Sequence, residues 1–419
     1  MKKLILTLCL AATGTFAAVA QMRLTLDQAL DLALSENPTV KVAEMEVQRY
    51  DYVKRQTWGG LLPQVSVTGQ VNHSFIVQQM SKGFSLGNDP YTTLSGAVDA
   101  SVPLFAPQVY RMMKMNDKQM ATAVEAARSS RITLTAEVKK AFYNILLAEQ
   151  SLDVLRESQA TVQRTVDDTQ VQYQNGLTSE YDLLTAQVQL KMYLSIPEQV
   201  DIEVEGELDA MRDAVLAGTE GLTTDTSDNS DLRTLELQED LLRLQLKAEN
   251  ASRLPTIGAF GNFTLTGNNM GSVSFDPDKM TSVKDGYFWQ NPLSAGIRVS
   301  VPLFSGLTKM NRSREIKNQI SQIGLQRTYA RQQVDVQVRS ALNDLLTARE
   351  TMYAQELTVE QARKAYAISD TRYRAGAGTI LELNSAQLAQ TQAQLNYSQA
   401  IFDYLTAKAE YDRIVGKEK

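Results

Sequence analysis

The chain has 419 residues, of which 42 are Lys or Arg and 48 are Asp or Glu, so its formal net charge is -6. This acidic balance disfavours a nucleic acid as a partner. The single histidine, His73, excludes metal sites that need two histidines, and its place among the valines of a predicted strand does not favour a catalytic role. The sequence contains no GxSxG, P-loop, HExxH or CxxC motif. We therefore predict a protein that is not an enzyme and has no cofactor.

The first twenty residues are typical of a secretory signal peptide. Two lysines precede an apolar run at 4–19, and Ala18-Val19-Ala20 has the small-x-small pattern of a cleavage site. The only cysteine, Cys9, lies inside this segment, so the exported chain is expected to contain no thiol. Beyond it, no stretch approaches about eighteen consecutive apolar residues, and no transmembrane helix is predicted.

The rest of the sequence contains the same arrangement twice. The pentapeptide SVPLF occurs at 101–105 and again at 300–304. The phrase YQNGLTSEYDLLTAQ at 173–187 is matched by YRAGAGTILELNSAQ at 373–387, with Tyr, Gly, an acid before Leu, and Ala-Gln at the same offsets. Matching phrases in the same order indicate a tandem duplication.

We predict a first structural repeat at 21–220, a linker at 221–230 and a second structural repeat at 231–419. The linker, GLTTDTSDNS, is polar and has no periodicity. The spacing of its aspartates does not match an EF-hand loop, so a solvated linker that ends in a helix cap explains them better than a calcium site.

Each repeat has the order helix, two strands and a long helical hairpin. The strand segments alternate apolar and polar residues, which is typical of strands with one apolar and one polar face. The main apolar positions are Val65, Val67, Val71, Leu94, Val98, Ala100 and Val102 in the first repeat, and Ile257, Ala259, Phe263, Leu265, Leu293, Ala295, Ile297 and Val299 in the second. Polar loops at 79–90 and about 268–287 separate the paired strands, and aromatic residues flank them as in a membrane-interface girdle.

The helical segments nearly lack proline and glycine, which favours long helices. From about Val109 to Gln174, at 1.5 Å per residue, the first arm would be roughly 100 Å long. Seven-residue spacing of apolar residues predicts helices that supercoil against neighbours. This spacing relates Val138, Ile145 and Leu152 in the first repeat, and Val338, Leu345 and Met352 in the second.

Four strands per chain cannot close a barrel, so strands that lie in a membrane must come from several chains. Three chains would supply twelve strands around a lumen, and the helices would continue as a bundle or tube. A structural coiled-coil surface protein, with a soluble stalk and small β-sandwich heads, is the alternative from a different class. The signal peptide, the flanking aromatics and the length of the strands argue against it.

The sequence resembles the TolC-like outer-membrane efflux protein family across essentially the whole mature chain. The features that carry the resemblance are the duplication, the Leu-Pro pairs before the strands (62–63 and 254–255), the VPLF segments and the two hairpin tips. The opening LDQALDLALSENPTV at 26–40 also resembles the family's N-terminal helix and the Asn-Pro break after it. The resemblance implies an α+β membrane protein: a homotrimer with a shared 12-stranded transmembrane β-barrel, four strands per chain, continued by a long α-helical coiled-coil periplasmic tunnel.

The resemblance also implies a function and a location. The protein would lie in the outer membrane lipid of a Gram-negative bacterium and act as the passive exit duct of a tripartite efflux system. Its partners would be a periplasmic adaptor (membrane fusion) protein and an inner-membrane pump of the resistance-nodulation-division or ABC type. The alternative within the same fold is the outer-membrane duct of a type I protein secretion system.

A methionine cluster near the start of the first long helix suggests a different cargo. Met112, Met113 and Met115 are close in sequence, and thioether sulfur favours Cu(I). Methionine also fills irregular gaps in packed cores. Packing explains the cluster better than copper export, and no metal site is predicted.

The hairpin tips are the predicted periplasmic entrance. Gly176 and Gly376 are placed where a long helix must reverse, and hydroxyl residues after them, Thr379 in the second repeat, can cap the return helix. Asp182 and Glu382 then lie near the first turn of that helix, where the helix dipole favours an acid. In a trimer, one acid per chain becomes a ring that selects cations.

The resemblance assigns roles to residues of the tips. Glu382 matches the first of two acids that form the entrance ring, whereas Ser385 occupies the position of the second. Tyr373 and Asp182 match a pair that bonds between neighbouring hairpins, and Gly378 occupies the position of an arginine that forms another such link. The tip residues on which the adaptor would dock are Asn175, Gly176, Leu177, Thr178, Gly376, Ala377, Gly378 and Thr379.

Overall fold

The computed structural model describes residues 22–75, 91–165, 202–217, 222–269, 288–375 and 377–418. The predicted signal peptide, the loop predicted at 79–90 and the first hairpin tip lie outside these residues, as does most of the second predicted loop. The chain forms two units, one of Met1–Val47, Thr122–Glu236 and Leu325–Lys419, and one of Gln48–Ala121 and Leu237–Gly324. Neither unit coincides with a predicted repeat, and the division at 221–230 stays a prediction.

Helices make up most of the described chain. They are α1 (Leu26–Glu36), α2 (Pro38–Gly59), α3 (Pro107–Thr165), α4 (Leu208–Ala217), α5 (Ser230–Ala251), α6 (Thr308–Arg374) and α7 (Ile380–Val415). Within the described ranges, no helix combines the length and the apolar character that crossing a membrane requires. The strands are β1 (Met22–Leu24), β2 (Gln64–Ser74), β3 (Tyr91–Phe105), β4 (Ile202–Val204), β5 (Thr256–Asn269), β6 (Phe288–Gln290) and β7 (Leu293–Ser300).

The Asn-Pro break separates the first two helices. Proline has no N–H to donate within a helix, so α1 ends before Pro38, which is well suited to the first position of α2. The side chain of Asn37 accepts a hydrogen bond from the backbone N–H of Thr39 (2.8 Å) and so caps the start of α2. At the other end of α1, Thr25 and Gln28 form a reciprocal capping box.

The core of the first unit lies where the long helices and the C-terminal helix pack together. The predicted seven-residue spacing is confirmed, because Val138, Ile145 and Leu152 of α3 are buried. The equivalent residues of α6 are buried too, and Tyr404 and Tyr411 of α7 fill the core between them. Large aromatic side chains therefore come from α7 and from α3, whereas the buried core residues of α6 are Val, Ala, Leu and Met.

The end of the predicted linker is anchored to the C-terminus. Asn229 is buried, its side chain accepts hydrogen bonds from the N–H groups of Asp231 and Leu232, and it donates to the carbonyl of Ile414 (2.8 Å). The prediction of a helix cap here is confirmed. The prediction of a solvated linker is wrong at this end, because the cap also bonds across to α7.

Five strands of the second unit form one antiparallel sheet. β2 pairs with β3, β3 pairs with β5, and β6 and β7 follow one another along the far edge of β5. Direct cross-strand partners lie on the same face of a sheet. Val67 pairs with Val98, and Val98 pairs on its other side with Phe263. The predicted apolar positions of both repeats therefore form one continuous face.

The two faces of this sheet differ sharply in chemistry. The apolar face is uncovered in the single chain, since Val67 is 77% exposed and Leu293 is 78% exposed. The opposite face carries mainly Gln, Ser, Thr and Asn side chains, as the alternation predicted. On it, Asn262 donates a hydrogen bond to Asp99 (2.6 Å).

The two copies of SVPLF have different structures. The first lies in β3, where Val102 pairs with Ala259 of β5. In the second copy the strand ends at Ser300, so only the first residue of SVPLF lies in β7. β5 begins at Thr256, and Thr256 pairs with Ser300. Among the described residues, β5 is the only strand that pairs with β7. The residues after Ser300 therefore have no partner on β5.

Candidate entrance site at the second hairpin tip

The turn between α6 and α7 is closed by hydrogen bonds from residues of the turn back to the end of α6. The N–H of Ala375 donates to the carbonyl of Thr371 (3.0 Å), and the N–H of Ala377 donates to the carbonyl of Arg372 (2.9 Å). The guanidinium of Arg372 donates in turn to the carbonyl of Ala377 (3.3 Å). These bonds satisfy carbonyl groups that a helix end would otherwise leave without an intrahelical partner.

Gly378 lies very close to the backbone of α6. A Cβ atom added at this position would lie 3.2 Å from the backbone nitrogen of Tyr373 and 3.3 Å from the carbonyl carbon of Arg372. Backbone atoms in a helix cannot move aside as a flexible side chain can. Glycine is therefore the residue that this turn accommodates, and the arginine that the resemblance places there would require the turn to shift.

A reciprocal capping box starts the return helix. The backbone N–H of Glu382 donates to the hydroxyl of Thr379 (3.2 Å), and the backbone N–H of Thr379 donates to the carboxylate of Glu382 (3.3 Å). The predicted cap at Thr379 is thus confirmed. Glu382 is exposed, and its charge lies at the N-terminus of α7, where the helix dipole stabilises an acid.

The first turns of α7 are held against α3. Leu383 is 2% exposed, so the residue next to the capping acid is an apolar anchor. One helical turn later, the side-chain amide of Gln387 donates to the carbonyl of Ser158 (3.1 Å), and Thr391 donates to the hydroxyl of Ser158 (2.9 Å). A buried side chain and hydrogen bonds to α3 therefore fix the part of α7 next to the tip.

The structure describes part of the predicted entrance. Tyr373 is partly exposed in the last turn of α6, and Glu382 and Ser385 are exposed three residues apart on α7, which places them on one side of the helix. Asp182, Gly376 and the tip residues Asn175–Thr178 lie outside the described residues. The predicted contact between Tyr373 and Asp182 and the predicted ring of acids stay predictions.

Two residues of this site were missed from the sequence. Arg372 bonds within the turn, and Gln387 joins α7 to α3. A basic residue in the last turn of a helix before a Gly-x-Gly phrase was the available signal for Arg372. No local signal identifies Gln387, because its partner is 229 positions away in the sequence.

A charged cluster lies further along the same helices. The carboxylate of Glu410 accepts hydrogen bonds from Arg413 (2.6 Å) and from Lys140 of α3 (2.6 Å). These two cations lower the pKa of Glu410 to about 2, with the bond from Arg413 as the largest cause and burial acting in the opposite direction. Glu410 is therefore charged at neutral pH and joins α3 to α7.

Residues 29–192 and 226–417 match the model of a protein family described as "Outer membrane efflux protein". The match covers most of the chain and includes both hairpin regions. The chain belongs to the outer membrane efflux protein family. It is therefore an outer-membrane exit duct of the TolC-like type, located in the outer membrane of a Gram-negative bacterium.

Individual relatives of this outer-membrane efflux protein are distant but extend over nearly its full length. Outer membrane protein TolC of Vibrio cholerae is 22% identical, covering 99% of this chain and 96% of that protein. Alkaline protease secretion protein AprF of Pseudomonas aeruginosa is also 22% identical, covering 90% and 81%. The open state of the Neisseria gonorrhoeae MtrE outer membrane channel has the same fold, with a TM-score of 0.69 at 16% identity over 94% of this chain and 89% of that one.

Proposed function

We propose that three copies of this chain form one duct, which passively conducts substrates from an inner-membrane pump and a periplasmic adaptor to the outside. The observation that carries the proposal is the sheet of the second unit. Its apolar face is continuous and uncovered, and its backbone edges, at β2 and at β6–β7, have no partner strand among the described residues. Open edges are not tolerated in lipid, so strands of neighbouring copies must complete the sheet.

The hairpin tips supply the entrance of the proposed duct. Each copy contributes Glu382, which the capping box holds at the start of α7. Three such acids form a ring that attracts cations, and Ser385 leaves the position one turn beyond without a second charge. Tyr373 would bond to Asp182 of a neighbouring hairpin and restrain opening, and the adaptor would dock on the exposed tips.

The chain itself catalyses no reaction in this proposal. The family is one of channels, and the free energy for transport would come from the inner-membrane pump. A duct needs a lumen and a gate. In this proposal the sheets of three copies form the lumen, and their hairpin tips form the gate.

A cellular export assay tests the proposed function. Removing the gene is expected to raise the accumulation of a fluorescent dye that the parent cells export, and the wild-type gene is expected to restore export. A mutant that contains the protein in its outer membrane but exports the dye no better than the deletion strain would contradict the proposal.

Protein secretion is the second candidate, and the match to AprF, a protease secretion protein, favours it. The same deletion strain distinguishes the two functions. Loss of a secreted protein from the culture medium, with dye export unchanged, would assign the duct to a type I secretion system. Loss of dye export alone would assign it to small-molecule efflux.

A further inference from the structure

One large apolar residue breaks the pattern on the polar face of the sheet. On β5, the residues that share a face with Asn262 are Thr256, Gly258, Phe260, Thr264, Thr266 and Asn268. Phe260 is the only large apolar member of this set, and its neighbours across the sheet, Ser101 and Gly296, do not form an apolar cluster with it. Packing in a core therefore does not explain why an aromatic ring lies here.

The structure shows what the ring contacts. Phe260 pairs with Gly296 of β7, and a Cβ atom added to that glycine would lie 3.2 Å from both Cε1 and Cζ of the ring. The ring therefore lies across the space that a side chain at position 296 would occupy. Two residues along β7, the guanidinium carbon of Arg298 lies 5.0 Å from the ring centroid, which is a cation–π distance.

Arg298 is an isolated cation on this surface. Apart from His73, Arg298 and Asp99 are the only residues with ionisable side chains of the Asp, Glu, Lys, Arg or His type in β2, β3, β5, β6 and β7. Arg298 forms no ion pair with any residue that the structure describes, whereas Asp99 accepts the hydrogen bond from Asn262. Arg298 pairs across the sheet with Gly258, and Asp99 with Asn262. Gly258 and Asn262 are four positions apart on β5, so Arg298 and Asp99 are separated by about 13 Å along the strand direction.

We propose that Arg298, held over Phe260 in the space left by Gly296, is an anion-recognition position in the lumen of the duct. The inference rests on the proposed function, in which the apolar face of the sheet meets lipid and the polar face lines the lumen. The ligand class is an anionic cargo with a flat aromatic part, such as an arylsulfonate or aryl carboxylate. In a trimer the position occurs three times at one level.

The chemistry of the two side chains suits this ligand class. A guanidinium that rests on an aromatic ring keeps its in-plane N–H groups available, and these bind carboxylate or sulfonate oxygens in a bidentate manner. The exposed part of the phenyl ring offers a stacking surface to an aromatic cargo. At physiological ionic strength the Debye length is about 8 Å, so Asp99 at the next level only partly cancels the field of Arg298.

Planar-bilayer recordings test the charge of this position. With a KCl gradient across the membrane, Arg298→Gln is expected to move the zero-current potential toward cation selectivity, with the cation-to-anion permeability ratio rising about two- to fivefold. Arg298→Lys keeps the charge and is expected to retain the wild-type potential. Asp99→Asn, the control of opposite sign on the same face, is expected to shift the potential the other way.

Measurements of channel block test the role of the Phe260 ring separately from the charge of Arg298. Benzenesulfonate is expected to block the wild-type channel transiently, and Phe260→Leu is expected to shorten the block about two- to fivefold while leaving the zero-current potential unchanged. Gly296→Val, which fills the space under the ring, is expected to shorten the block in the same way.

The outcomes separate this inference from the function on which it rests. A wild-type zero-current potential and wild-type block in Arg298→Gln would overturn the inference alone. The absence of any channel in membranes that contain the wild-type protein would overturn both the proposed duct and the inference.

Discussion

Glu382 has two separable roles at the second tip. Its carboxylate caps α7 through the N–H of Thr379, and its charge would form the entrance ring. Glutamine can replace glutamate in a capping box because its side-chain oxygen accepts the same hydrogen bond. A change from Glu to Gln therefore removes the charge and keeps the start of the helix.

We expect Glu382→Gln to lower the cation preference of single channels, because three negative charges leave the entrance together. Ser385→Glu adds an acid on the same side of α7 and is expected to raise that preference. The ratio of cation to anion permeability, measured from zero-current potentials, checks both variants. Identical ratios in the wild type and both variants would remove Glu382 from the proposed gate.

The lowered pKa of Glu410 predicts a pH-dependent stability. Its value in the folded chain is about 2, below the ordinary value of 4.5, because Arg413 and Lys140 bond to the charged form. The stabilisation is fully present above about pH 4.5 and is lost as the pH falls from 4.5 toward 2. We expect the difference in thermal unfolding temperature between the wild type and Glu410→Gln to shrink over this range.

Circular dichroism of the detergent-solubilised protein measures that difference. Glu360→Gln is the matched control, because Glu360 bonds only to a neighbouring lysine on the exposed surface of α6 and such pairs contribute little. A Glu410→Gln difference that stays constant between pH 4.5 and pH 2 would contradict the assignment.

At the level of elements, the two faces of the sheet predict opposite responses to the same substitution. Val67 lies on the apolar face and its neighbour Thr68 on the polar face. A lysine on the lipid face of a membrane sheet costs about 2–4 kcal/mol at the midplane, whereas a lysine in a lumen is solvated. We expect Val67→Lys to reduce the amount of folded protein in the outer-membrane fraction and Thr68→Lys to leave it near the wild-type amount.

Heat-modifiable migration on gels measures the folded fraction for this pair. Equal yields of folded protein from Val67→Lys and Thr68→Lys would show that the apolar face does not meet lipid.

The strands and the long helices could be predicted from the sequence, because the spacing of residues along a strand or a helix determines which of them lie on the same face. Period-two alternation identified the apolar face that runs through Val98 and Phe263, and the seven-residue spacing identified the buried positions of α3 and α6. Phe260 interrupts the polar side of that alternation and was not singled out from the sequence. No local pattern could explain this residue, since Gly296 and Arg298 contact the ring only because β5 and β7 pair.

The hairpin tip shows where prediction from sequence stopped. Thr379 was identified as a cap because it is a hydroxyl residue shortly after the glycine at which the helix must reverse, and the structure confirms it. The close approach of Gly378 to the last turn of α6 depends on the path of the whole turn. The bonds from Gln387 and Thr391 to Ser158 depend on how distant helices pack, which no local pattern specifies.

At the scale of the whole molecule, the single chain is incomplete as a membrane protein. Among the described residues, nothing covers the apolar face of its sheet and no strand pairs with the edges of that sheet, and α6 exposes apolar side chains such as Leu325, Tyr329 and Val336. Association of three copies would close the sheet around a lumen and bury further helical surface. One assembly would thereby account for the open edges of the sheet and for the exposed apolar side chains of α6.

Native mass spectrometry of the protein extracted by detergent from the outer-membrane fraction tests this central claim most directly. We expect a mass of three mature chains, each beginning near Gln21, that dissociates into single chains on heating. A single folded chain in the outer-membrane extract, or a protein found only in the soluble fraction, would contradict the trimeric duct.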